Sequence, residues 1–350
     1  MNYFHLNKLT LVIFTLNRHK FLKRTINYWS NFNIKLIVLD GSKIKFRDPC
    51  IKSENIKYIH DKTGLYNRLL SSVNYIDTEF IVLGSDDEFY LPSALVSCID
   101  FLLKETTFSS CGGRAIGFYT DKDKIFGLKQ YANLKDFQLN QSNASERVIK
   151  HFSNYVPAHF YSVIRFSKWK IICRNVFEKN YLFSGSHELQ VEFLSVVAGK
   201  SRILPELMWL RNKEIPPIHN EEVIKIEKKD WWYDKKYEDE KLDFLKRMKN
   251  ASDELINDQN IQIKEETIIK SFEAYLNNPK LNETFIKKIR KLLPNKIKIL
   301  KRLMISLKNK FLYDKNKSLI EEINLLEQES VLVNQRELNQ IISTLNNSMR

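Results

Sequence analysis

Asp86, Asp87 and Glu88 are three consecutive acids that follow the apolar run Phe80-Ile81-Val82-Leu83 across a Gly84-Ser85 break, with Pro92 shortly beyond. An apolar run bounded by glycine predicts a buried strand, and a proline opening the next apolar-periodic segment predicts a helix start. Carboxylates delivered at a strand end suit a hard divalent cation, Mg2+ or Mn2+, which takes oxygen ligands and keeps positions open for phosphate oxygens. A solvated acidic turn would use the same residues.

The elements that must position these acids can be read from periodicity. Leu9–Thr15 is a strand by β-branched and apolar content, and Asn17-Arg18 lead from it into a helical pattern through Phe21, Leu22, Ile26 and Trp29. A second strand over 34–39 ends at Asp40-Gly41-Ser42, a third is Ile56–His60, and Gly64 precedes a helix carrying Leu65, Leu69, Leu70, Val73 and Ile76. This alternation predicts an α/β layer: a Rossmann-like, mixed and mostly parallel sheet flanked by helices, with ligands at the carboxyl ends of the strands. Thr15, Asp40 and Asp86 all stand at such ends, although Asp40 followed by Gly41 and Ser42 is also a common turn. Further on, the pattern predicts a helix over Pro92–Lys104, strands over 112–119 and 158–165, and a polar loop over 121–145. Helices over 167–177 and 187–198 and a strand over 202–210, interrupted by Pro205, complete this part.

Composition sets further bounds. The 350-residue chain carries a net charge of +14, but ten Lys or Arg and no acid fall within 284–312, so most of the excess is local. A duplex-binding groove elsewhere has little support, and no nucleic-acid partner is expected. The four cysteines are scattered without a Cys-x-x-Cys pair, which argues against a zinc site or a disulfide framework. The apolar run starting at Leu9 is too short to span a membrane and lacks a signal-cleavage pattern, so a cytoplasmic protein is expected. Pro216-Pro217 marks a boundary between a first domain, 1–215, and a helical C-terminal region, 216–350. Within the latter, 284–312 sets apolar residues such as Ile286, Ile289, Leu293 and Ile297 three or four apart among lysines. That stripe either lies on an anionic membrane surface, making the protein peripheral at the inner face of the cell membrane, or packs on the preceding domain. From Leu319 to Leu345 one or two helices are expected, with a slip in spacing near Glu329 that excludes a regular heptad and leaves self-association open. Trp231-Trp232-Tyr233 either faces an acceptor or anchors helices.

Taken together, Thr15-x-Asn17-Arg18, Val38-Leu39-Asp40-Gly41-Ser42, Gly64, Asp86-Asp87 with Pro92, and the acidic helix start His187-Glu188 resemble family 2 glycosyltransferases of the GT-A fold. The likeness is greatest to a bacterial branch with an Asp-Asp-Asp-Phe motif, here Asp86-Asp87-Glu88-Phe89, accompanied by Gly113-Arg114, Phe160-Tyr161-Ser162 and Gly199-Lys200. It covers roughly residues 9–211. The resemblance implies transfer of a sugar, with inversion, from a nucleotide-diphosphate donor to a hydroxyl of a glycan or lipid-linked acceptor, in surface polysaccharide or lipopolysaccharide synthesis. It also implies a divalent metal on Asp86, with Glu88 as a further acid and Asp87 at the donor ribose or in the metal shell. Asp40 would take the nucleobase or ribose, Thr15 and Arg18 would line the same cleft, and Arg114 and Lys200 would face donor phosphate. Glu188 stands where the family places its general base, and Glu192, one turn on, is the alternative. Glu188 is equally a residue that a helix dipole favours in a first turn. The sequence departs from the family at Gly84, which replaces the first acid of an Asp-x-Asp, and at Glu88, which replaces the branch's third aspartate. Two other classes compete. A sugar nucleotidyltransferase would need a glycine-rich loop after the first strand, and 15–19 contains no glycine. A non-catalytic GT-A-like binding module would leave the acids without a metal-dependent activity.

Overall fold

A computed structural model describes residues 3–183, 185–213, 226–256, 262–278 and 317–349; Pro216-Pro217 and the basic stretch 284–312 lie outside them. In the sheet, β1 (Leu9–Thr15) runs parallel to β2 (Lys35–Asp40) on one side and to β4 (Phe80–Ser85) on the other, with β3 (Ile56–His60) beyond β2. Helices α1 (His19–Trp29) and α2 (Leu65–Ser72) make the crossovers. The chain builds outward from β1 to β3 and then returns to place β4 on the opposite flank, so the strand order switches between β1 and β4. A crevice forms beyond the carboxyl ends of strands at such a switch point. Register sets Thr15 beside Asp40 and Phe14 beside Ser85, so Thr15, Asp40 and Asp86 leave the sheet along one edge.

The rest of the sheet is built from β5 (Phe89–Tyr90), β6 (Phe108–Asp121), β7 (Lys124–Lys129), β8 (Gln138–Leu139), β9 (Val163–Arg165) and β10 (Lys200–Asn212). Its order is β3-β2-β1-β4-β9-β6-β10-β5, with β7 paired to β6 and β8 to β10. β1, β2, β3, β4, β6 and β10 share one direction, while β5, β7, β8 and β9 oppose it, which gives the mostly parallel α/β sheet expected from the sequence.

Alternation along the strands divides the core into two faces. Leu11 and Ile13 pack with α1 and α3 (Pro92–Lys104), whereas Val12, Ile37, Leu39, Ile81 and Leu83 face the other way. That second face is covered by α4 (Ala144–Ser153), α5 (Phe166–Phe177), α6 (Ser186–Ala198), α7 (Lys228–Tyr233), α8 (Glu238–Ile256) and α9 (Glu265–Asn277). Trp231 and Trp232 are buried against Phe244 and Phe272 and anchor helices, while Tyr233 is exposed. The last described segment returns to the first face: Leu319 and Ile323 of α10 (Leu319–Gln328) and Leu338 and Ile341 of α11 (Gln335–Met349) share a core with Leu11 and Leu95. The break between α10 and α11 falls where the spacing slips, with Ser330 at φ 66°.

Two expectations are corrected. The segment 121–145 is not a bare loop: β7 folds back on β6 across a turn at Lys122, and β8 pairs with β10. Only Gly127 of β7 is buried, so this edge strand carries no apolar alternation to announce it. In the other direction, 158–165 forms a strand only over Val163–Arg165, because the N–H groups of Ala158, His159 and Phe160 are donated to the Glu192 carboxylate. All four cysteines are free, and Cys98, Cys111 and Cys173 are buried. No helix among the described residues is long and apolar enough to cross a membrane.

Glu337 ties α11 to Tyr3 and to the start of α3. Fully buried, it accepts from the Tyr3 hydroxyl at 2.7 Å and from both the backbone N–H and the hydroxyl of Ser93, at 3.0 and 2.8 Å, at the start of α3. Removing it strands these donors, so Glu337→Ala is expected to cost about 2–4 kcal/mol in urea denaturation, against under about 1 kcal/mol for the exposed Glu327→Ala.

Candidate active site

The loop after β1 is held in a conformation few residues adopt. Asn17 has φ 57°, a region that asparagine tolerates better than most side chains, and it is pinned to the loop after β2 by two bonds. Its N–H donates to the Ser42 hydroxyl at 2.7 Å, and its side-chain oxygen accepts from the Lys43 N–H at 3.0 Å. This geometry turns Arg18 back over the end of β4. There the guanidinium meets Asp86 at 3.0 Å and Asp87 through the same nitrogen. Thr15 donates to the other Asp86 oxygen at 2.5 Å, Thr25 caps the Asp86 carbonyl, and the Ser85 hydroxyl donates to Asp87 at 2.6 Å. Burial pushes the Asp86 carboxyl up to about 7, helped by the neighbouring charge of Asp87 and opposed by Arg18 and Thr15.

Glu88 departs from this pair. It accepts from the Trp209 indole N–H at 3.1 Å, and Arg211 lies 3.7 Å from its other oxygen. Burial, with the charge of Asp87, raises its carboxyl to about 8. Lys213, on the same side, is lowered to about 8 by burial and by Arg211. Trp209 is sandwiched between the rings of Tyr161, at 4.3 Å, and Tyr131, at 5.7 Å.

Asp40 is completely buried at the end of β2, where it accepts from the Ser42 N–H at 2.8 Å and the Tyr58 hydroxyl at 2.6 Å, with His19 at 3.5 Å. Burial works to raise its carboxyl, but these bonds and the His19 charge outweigh that and hold it below the usual range. Beside it lies Arg68, 4% exposed, whose guanidinium crosses Gly41 so closely that a Cβ there would fall 2.1 Å from a terminal nitrogen. Only glycine fits. Arg114 goes elsewhere: it pairs with Glu329 at 3.4 Å, while the cations acting on Asp86 and Glu88 are Arg18, Arg24, Arg211 and Lys213. Lys200 lies over the Phe108 ring at the opposite end of β10.

The two glutamates of α6 have divided roles. Glu192 is fully buried and takes five donors: three backbone N–H groups at 158–160, His151 at 3.0 Å and His159 at 2.7 Å. His151, His159 and Glu192 lie close enough together to hold a metal ion. Each ligand atom is instead already spent on a hydrogen bond within the group, and burial lowers His151 toward its neutral form, so the cluster reads as a clamp. Burial works to raise Glu192, but the two histidines hold it far below the usual carboxylate range. Glu188 is exposed, on the turn that Gly185 starts at φ 79°, and accepts from the Tyr155 hydroxyl at 2.9 Å. Surrounding protein still raises its carboxyl, with Tyr155 opposing the shift, Glu192 adding to it and Lys228 opposing it. Half-buried Tyr161 is within electrostatic reach of Glu88, Asp87 and Glu188 together. The structure thus brings Thr15, Arg18, Asp40, Asp86, Asp87 and Glu88 to one sheet edge, and Tyr161 connects that edge with Glu188.

Arg68, Arg211, Lys213, Tyr155 and Tyr161 were not assigned roles from sequence. Arg68 falls among the polar positions of an amphipathic helix, Tyr161 lies within the Phe160-Tyr161-Ser162 motif without a role attached to it, and Arg211, Lys213 and Tyr155 carry no motif. Gly41 is the one signal, since it permits the close approach of Arg68.

No family model matches the chain, and no curated protein matches it. Among solved structures it is similar to TarS of S. aureus, at 12% identity over 77% of this chain and 43% of that one, with a TM-score of 0.48. Residues 1–349 of TarS in complex with UDP-GlcNAc give 13% identity over 77% and 72% of the two chains and a TM-score of 0.49. The corresponding complex with UDP gives 11% identity over 76% and 88%, with a TM-score of 0.42. The chain therefore spans less than half of the longer TarS chain.

Asp86 offers a direct check on this geometry. Its folded value near 7 lies above the unfolded value of about 3.9, so its contribution favours folding below the unfolded value and is lost as pH rises through about 7. Asp86→Asn is therefore expected to raise the thermal midpoint at pH 8–9 relative to the unsubstituted protein in metal-free buffer, to raise it less at pH 5, and to leave it nearly unchanged only below about pH 4.

Proposed function

We propose that this chain is an inverting glycosyltransferase that moves a sugar from a nucleoside-diphosphate donor to an acceptor hydroxyl. What carries the reading is the convergence of two buried aspartates on a single guanidinium nitrogen at the switch point of the sheet, with the exposed Glu188 across Tyr161 from them. Arg18 stands in there as a cation, and two hard carboxylates beside the Ser85 hydroxyl are a donor set suited to Mg2+ or Mn2+. Asp86 and Asp87 would hold that ion, which when bound neutralises charge on the departing diphosphate. Glu88, held by Trp209 and Arg211, stays outside this set.

The remaining roles follow from position. Thr15, Asp40 and Arg68 form the floor for the nucleoside, and Arg18, Arg211 and Lys213 supply positive charge toward the phosphates. Glu188 takes the proton of the acceptor hydroxyl, whose oxygen attacks the anomeric carbon from the side opposite the diphosphate. The bond to the diphosphate breaks, its electron pair leaving with the phosphate oxygen. Such a base must come within about 3 Å of the hydroxyl, and an exposed carboxylate can do so where the clamped Glu192 cannot. The acceptor we propose is a glycan or lipid-linked glycan in surface polysaccharide synthesis, met at the inner face of a membrane that the 284–312 segment contacts.

A panel of nucleotide sugars assayed with Mn2+ or Mg2+ tests the reading. Asp86→Asn should lower metal-stimulated donor turnover at least about 100-fold, and Glu188→Gln should lower transfer by roughly 10²–10⁴-fold while donor-induced thermal stabilisation survives. Full metal-dependent turnover in Asp86→Asn would rule out the metal role.

A further inference from the structure

The carboxylate assigned as base is served by residues that the sheet does not supply. Lys228, at the start of α7, donates to the Tyr275 hydroxyl at 2.6 Å, and its ammonium lies 5.0 Å from the centre of that ring. Tyr275, on α9, packs edge-on against Tyr155 with ring centres 4.7 Å apart, and Tyr155 donates to Glu188. The far end of Lys228 also lies against Gly185: its nitrogen is 3.5 Å from where a Cβ on that glycine would stand, at the turn that opens α6. Lys228 is thus held by Tyr275 and passes beside the turn that opens α6, and among the described residues no carboxylate lies within ion-pair distance of it. The titratable groups that face Glu188 are Tyr155 after α4, Tyr66 on α2, Tyr161 before β9, Glu192 on α6 itself and Lys228. Four of these are acids or phenols; Lys228 is the cation.

We infer that Lys228, held by Tyr275 beside the turn that opens α6, is a positioning residue that favours the ionised form of Glu188. Through it, helices α7 and α9 complete a site whose base stands on α6. The inference rests on the reading of Glu188 as the base, yet its central claim concerns a proton on a named carboxyl and can be read without substrate. The ammonium favours the ionised carboxylate, against burial and the charge of Glu192. Without it, the carboxyl should hold its proton to higher pH.

Full-length protein labelled with 13C at the glutamate carboxyl carbon gives the readout, the Glu188 resonance being the one missing from Glu188→Gln. Lys228→Met should move the titration midpoint of that resonance upward by a few tenths of a pH unit, and Lys228→Arg should leave it in place. Tyr275→Phe keeps the ring and frees the ammonium, so it should move the midpoint the same way by less, and it carries the test if Lys228→Met fails to fold. An unmoved midpoint in folded Lys228→Met, or in Tyr275→Phe where that variant stands in, overturns the inference. Glu188→Gln assayed with the nucleotide-sugar panel separates the two failures: full activity there removes Glu188 as base while leaving the effect of Lys228 on its proton intact.

Discussion

Two carboxylates buried side by side at the end of β4 are the constraint on which the rest of this structure turns. Each loses water on folding, and like charges at this distance oppose joint ionisation, so a cation must be brought to them. Arg18 meets that need. Its placement depends in turn on Asn17 in the left-handed region, on the Ser42 hydroxyl that fixes Asn17, and on the parallel register that aligns β1 with both β2 and β4. A one-residue slip of β4 would exchange the residues it presents to the two cores and separate Asp86 from Thr15. The chemistry of the edge and the pairing of the core strands are therefore one problem with one solution.

A second constraint governs the segment that leads into β9. The backbone from Ala158 to Phe160 does not pair with a strand, and its N–H groups converge on Glu192 together with two imidazoles. Five donors on one carboxylate fix the direction in which Tyr161 emerges and bind α4 to α6 through His151. Glu188, one turn earlier on the same helix, is left exposed. Burial thus separates two glutamates that sequence alone leaves as rivals for one role: the one that makes every available bond is structural, and the one with a single tyrosine partner is free to act.

How much was legible follows from which signals are local. The strands and crossovers from Leu9 to Lys104 announce themselves through periodicity, and the strand-end acids follow from them, because register between parallel neighbours is set by the same apolar pattern. Arg114 was misread because one face of β6 turns toward α10, and Glu329, its partner, lies 215 residues away in sequence. Arg68 was passed over because a polar residue on an amphipathic helix ordinarily faces water, whereas here it crosses a glycine into the site. β7 went unseen for a related reason, since an edge strand needs no apolar alternation. Contacts made across long sequence separations leave no spacing to read.

The same limit bears on the second half of the chain. Read as a succession of lysine-rich helices, it looks like an appendage to the α/β sheet. In three dimensions α8 and α9 cover one face of that sheet and α10 and α11 the other, so either set removed alone would leave a large apolar surface in water. Glu337 reaches the amide of Ser93 at the start of α3, and α3 directly follows the strand pair that carries Glu88 and Tyr90 to β10. Lys228 reaches the turn before Glu188 from the other side. The acids at the switch point and the carboxylate on α6 are therefore braced from opposite faces by segments more than a hundred residues apart, and a helical region built only to shield the core would not need polar groups of this kind at both places.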